Sequence, residues 1–171
     1  MENNDTYILP IKKLPHGTHA FNYVLGHDFF ADLDQNEILN GDVNVVVSVK
    51  KSQQNIALSI SGEGKVVVTC DRCLDEMTLP VEMEDSFTVI FGEEYAEDGD
   101  NVVVVPEQDG EFDVSWLIYE TIVLALPFNH MHAEGECNPE MESVIEKYTP
   151  GAEPQEEISS DPRWDALKQM K

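Results

Sequence analysis

The chain has 171 residues, 42% hydrophobic and 26% charged, enough apolar material for a core and too much for wholesale disorder. Lys and Arg number 10 against 34 Asp and Glu, a formal charge of -24. Nucleic-acid affinity rests largely on neutralising phosphates with cations, so direct RNA binding is doubtful, whereas basic proteins and cations would be attracted.

The first five residues, Met1-Glu2-Asn3-Asn4-Asp5, are acidic where a secretory signal would be positive, and no apolar stretch follows them. The longest purely apolar run, residues 122–128, is far short of the roughly 18 residues that suggest a membrane span. These features predict a soluble, cytoplasmic protein with no membrane partner.

Residues 7–14 and 18–25 read as two short extended segments joined by the turn Pro15-His16-Gly17. Residues 27–34 suit a short helix or an irregular loop. Val43, Val45, Val47 and Val49 then alternate with other residues, and Ile56, Leu58 and Ile60 repeat the period of two after a polar loop. That pattern predicts an antiparallel hairpin with one buried face. Gly62-Glu63-Gly64 predicts a bulge or sharp bend in the second strand. Residues 65–69 continue as strand into Cys70, and alternation resumes between Leu79 and Phe91. The pair Cys70 and Cys73 therefore falls in a turn between two sheet strands. An acidic loop over 92–101 and a short strand over 102–105 follow.

Asp113 is a good N-cap for a helix that stops at Pro127. Val114, Leu117, Ile118 and Ile122 share one stripe, while Trp116, Val123 and Leu126 occupy another, which predicts a helix packed between surfaces. Glu120, its lone charge, suits an exposed or salt-bridged position. Residues 133–157 are acidic and carry several Pro and Gly, as in a segment flexible in its later half. Asp161 followed by Pro162 then starts a short helix, with Trp164, Leu167 and Met170 on one face. The expectation is an α+β fold: a mainly antiparallel, bent β-sheet with one central helix and a short C-terminal helix. Its parts are a domain over residues 1–148, a linker over 149–160 and an amphipathic helix over 161–171.

The three cysteines, Cys70, Cys73 and Cys137, are too few and odd in number for a disulfide scaffold. They admit three roles. The two-residue spacing of Cys70 and Cys73 lets both thiolates reach one tetrahedral metal, and His132 with Cys137 could supply the second pair. This Cys₃His set is a structural zinc composition, with His130 as an alternative fourth ligand. A redox dithiol is the second role, although such a pair usually sits at a helix N-terminus, and here strands flank it. Free reduced thiols are the third. There is no Gly-rich phosphate loop, GxSxG or HExxH, so no catalytic residue is assigned and no enzyme is expected.

Four pieces in order now resemble the YceD family, the large ribosomal RNA subunit accumulation proteins. They are the valine-rich strand running into Cys-x-x-Cys over residues 66–74, the run ETIVLALP over 120–127, His132 with Cys137, and DPRWDAL over 161–167. The resemblance implies a non-enzymatic factor that supports accumulation or processing of large-subunit ribosomal RNA and ribosome assembly. Genes of the family commonly neighbour that of a small large-subunit ribosomal protein, which implies a basic protein partner or an assembly intermediate. Many relatives carry a fourth cysteine after the helix, a position that His132 could fill here. Arg163, Trp164 and Leu167 are candidate partner-docking residues on the terminal helix, which could equally pack back on its own domain. The alternative function is a thiol-dependent redox protein.

Overall fold

A computed structural model describes residues 4–33, 35–53, 55–97, 101–107 and 110–149. The expected terminal helix over 161–171, with Arg163, Trp164 and Leu167, lies outside the described residues, as does nearly all of the expected linker. The chain divides into a unit over residues 1–132 and a second over 133–171.

The first unit is built on a six-stranded sheet. β1 (Ile8–Leu9) stands apart and pairs with β8 (Phe112–Asp113). β2 (Gly17–Leu25), β3 (Asn40–Lys51), β4 (Ile56–Thr69) and β5 (Glu76–Gly92) form an antiparallel meander. β6 (Ala96–Glu97) and β7 (Val102–Pro106) complete the order β2-β3-β4-β5-β7-β6. Among the described residues only β5 and β7 run parallel, which keeps the sheet mainly antiparallel, as expected. Two short helices complete the α+β architecture of this unit: α1 (His27–Asp32) and α2 (Ser115–Ala125).

Alternation decides which face is buried. Val43, Val45, Val47 and Val49 of β3 point inward with Ile56, Leu58, Ile60, Val66 and Val68 of β4. Phe29 and Phe30 of α1 and Leu117, Ile118 and Ile122 of α2 join the same core, and α2 lies against β5.

The expected bulge at residues 62–64 is absent. Val45, Asn44 and Val43 pair one for one with Gly62, Glu63 and Gly64, and the partners on β5 follow without a skip. Even-numbered residues therefore stay on the core face from Ile56 to Val68. The glycines serve close approach instead. A Cβ on Gly64 would collide with the backbone of Asp42 and Val43, and one on Gly62 would lie 2.7 Å from the Asn44 carbonyl.

Of residues 7–14, only Ile8–Leu9 is strand. Pro10 opens a turn closed by Lys13 N–H donating to its carbonyl at 2.9 Å. Asp113 caps α2 from one position outside it, its Oδ1 accepting from Ser115 N–H at 2.9 Å. The expected burial of α2 on two sides is full on one and partial on the other. Val114, Leu117, Ile118 and Ile122 are buried, whereas of the second stripe Val123 and Leu126 are half-buried against the core and Trp116 is 46% exposed.

The second unit contains a helix not foreseen from sequence, α3 (Pro139–Tyr148). Asn138 caps it by accepting from Glu140 N–H at 3.0 Å, with Pro139 at the first turn. Glu140 and Glu142 near its start and Lys147 near its end complement the helix dipole.

Candidate metal centre

β4 runs into Cys70, and a tight turn over residues 71–73 returns the chain to β5. Cys70 N–H donates to the Asp75 carbonyl at 2.8 Å, and Leu74 N–H donates to the Cys70 carbonyl at 3.0 Å. Closing this ring needs a left-handed residue, and Leu74 takes that conformation with φ 63°. The turn presents both thiols inward, Cys70 and Cys73 being 0% and 1% exposed.

The segment after α2 is clamped to this turn from both sides. Asp71 N–H donates to the His130 carbonyl at 2.7 Å, and His130 N–H donates to Asp71 Oδ2 at 2.7 Å. Two residues on, His132 Nδ1 sits 3.4 Å from Cys73 Sγ. The donor atoms of Cys70, Cys73 and His132 lie within 4.8 Å of one another, and Cys137, buried, belongs to the second unit. Within the first unit the structure thus brings three of the four candidates together and leaves the His130 alternative outside that set. Asp71, the residue that holds the segment in place, was not singled out in the sequence. Its position between the two cysteines is the only signal it carries.

The electrostatics favour a thiolate. Burial raises the Cys70 pKa, but N–H groups of Cys73, His132 and Arg72, with the Cys73 side chain, outweigh it and lower the value to about 6. His132 is shifted upward, first by its hydrogen bond to Cys70 and then by Cys73, against the opposing effect of burial.

These distances fit a tetrahedral ion. Zinc ligated at about 2.3 Å by sulfur and 2.0–2.1 Å by nitrogen sets sulfur–sulfur edges near ~3.8 Å and sulfur–nitrogen edges near ~3.5 Å. The Cys73–His132 separation of 3.4 Å already has the length of such an edge. No pair among Cys70, Cys73 and His132 exceeds 4.8 Å, so none would close by more than about 1 Å.

The family model described as "Large ribosomal RNA subunit accumulation protein YceD" matches residues 58–171, well over half of the chain. The chain belongs to the YceD family. The matched span begins inside β4 and contains all four candidate ligands of this YceD-family chain, Cys70, Cys73, His132 and Cys137. Comparison with curated proteins and with solved structures returns no match.

Proposed function

We propose that this YceD-family chain is a non-enzymatic assembly factor that supports accumulation of large-subunit ribosomal RNA by binding a basic ribosomal protein. Family membership carries the first half of that reading. Charge carries the second: with 34 acids against 10 bases, the chain repels phosphate and attracts cationic protein. Lys13 pairs with Glu111 at 2.7 Å, but so few bases can neutralise only a fraction of the acids, and most of the negative field is left for a partner.

In this reading Cys70, Cys73, His132 and Cys137 hold a structural zinc ion. Four protein ligands fill a tetrahedral shell and leave no open position for a substrate, so the ion supplies cross-linking and not chemistry. The turn between β4 and β5 is thereby tied to the chain that follows α2. A redox role is less well supported, because the buried pair sits in a turn between strands and lacks the exposed helix N-terminus that activates a dithiol.

The test is direct binding. Purified chain should bind one or more large-subunit ribosomal proteins, more weakly as salt rises, and should ignore bare large-subunit RNA. Tight binding to the bare RNA with none to any ribosomal protein would refute the proposal.

A further inference from the structure

Beside the cysteine turn lies a groove of about 640 Å³ whose floor is apolar: Val123, Leu124, Leu126 and Phe128. That surface is open to solvent. Leu124 is 73% exposed and Phe128, just past the end of α2, is 99% exposed. Apolar side chains this exposed beside a groove offer surface that a partner could bury. Among the described residues, the charged side chains lining the groove are Glu37 and Asp71, both acidic. Among the described residues no Lys or Arg lines it.

We propose that this groove seats a basic amphipathic segment of the protein partner. Its apolar side chains would lie on Leu124 and Phe128, and its Lys or Arg would face Glu37 and Asp71. The inference rests on the basic-partner reading above and adds to it the place of contact. Charge complementarity selects this occupant over the alternatives. A second copy of the chain would bring a second set of acidic rims, and a second charge of -24, against the first. The chain's own 161–171 segment sets Asp161 and Asp165 against Arg163, Lys168 and Lys171, so it brings little net positive charge to the same acids.

The groove is also joined to the cysteine turn. Asp71, on its rim, is the residue that clamps His130 through two backbone-directed hydrogen bonds. The wall of the groove is therefore fixed by the same turn that presents the thiols.

The experiment titrates purified large-subunit ribosomal proteins one at a time against the full chain, by fluorescence anisotropy, with Leu124→Ser, Phe128→Ser, Glu37→Gln and Val24→Ser in parallel. All four changed side chains are exposed, so circular dichroism should show each variant folded. For the protein that binds wild type, Leu124→Ser and Phe128→Ser should each weaken affinity about tenfold, as truncations of interface anchors do. Glu37→Gln should weaken it about threefold and flatten the salt dependence. Val24→Ser, a control 72% exposed on β2, should leave it unchanged.

Wild-type affinity in both groove variants would overturn the groove while leaving the basic partner standing. Failure of wild type to bind any ribosomal protein would instead overturn the partner reading itself. A dimer by sedimentation that Leu124→Ser converts to monomer, with partner binding unaffected, would assign the groove to a second copy and overturn the proposal. A loss of stability shared by Leu124→Ser and Trp164→Ala, with partner binding unaffected, would assign it to the chain's own tail and overturn the proposal equally.

Discussion

Single side chains give the sharpest consequences. Cys70 is held near pKa 6 by N–H groups that outweigh its burial, so in metal-free protein the thiolate absorbance at 240 nm should rise with a midpoint near pH 6. A free cysteine titrates nearer 8.5. Because the folded value is the lower one, the stability Cys70 contributes is present in full above the unfolded value and is lost as pH falls through about 6. A midpoint at the ordinary thiol value would show that the N–H groups do not act on the sulfur. Tyr119 makes a different case. Its hydroxyl is buried with no hydrogen-bond partner among the described residues, and burial, followed by Glu37, raises its pKa. Removing an unsatisfied buried hydroxyl relieves a desolvation cost, so Tyr119→Phe should stabilise the fold by about 1 kcal/mol in urea denaturation. A loss of stability on that change would mean that the hydroxyl is paired.

At the scale of the elements, the close pairing at the glycines of β4 makes the fold vulnerable there. Gly64→Ala would drive a Cβ into the backbone of Asp42 and Val43, which no rotamer change can relieve. It should cost about 2–3 kcal/mol in chemical denaturation, as overpacking of a tight site does. A neutral result would mean that β3 and β4 separate more readily than their one-for-one register implies. The same glycines show where sequence was legible and where it was not. The valine alternation fixed the faces of β3, because a period of two has one structural meaning when the residues are β-branched. Glycine in a strand has two meanings, a bulge or a close neighbour, and the choice depends on Asp42 and Val43, which are distant in sequence. The candidate ligands could be nominated from spacing, but the meeting of His132 with Cys70 and Cys73 depends on the Asp71–His130 clamp between residues far apart in the chain. α3 was hidden by composition: its acids and breakers resemble a flexible segment, although Asn138-Pro139 is the same kind of start signal as Asp161-Pro162.

On the scale of the whole molecule, unbalanced charge dominates. A chain at -24, with 34 acids against 10 bases, repels itself when folded, and added salt screens that repulsion. Thermal unfolding should therefore shift upward between low salt and ~0.3 M sodium chloride, over the range where the Debye length falls below ~10 Å. Binding to a basic partner should weaken over the same range, so salt moves stability and affinity in opposite directions. A melting temperature that falls with salt would contradict the picture of an unneutralised field. Among the described residues no helix is long and apolar enough to cross a membrane. Zinc should bind the purified chain at about one ion per chain, and Cys73→Ser should lower that content severalfold. Zinc content unaffected by Cys73→Ser would place any metal elsewhere.

The most direct test of the central claim is made in cells that depend on this chain, by measuring the ratio of large-subunit to small-subunit ribosomal RNA after its depletion. The ratio should fall, and wild-type chain should restore it while Leu124→Ser and Cys73→Ser restore it only in part. A ratio that stays constant through depletion would contradict a role in large-subunit RNA accumulation.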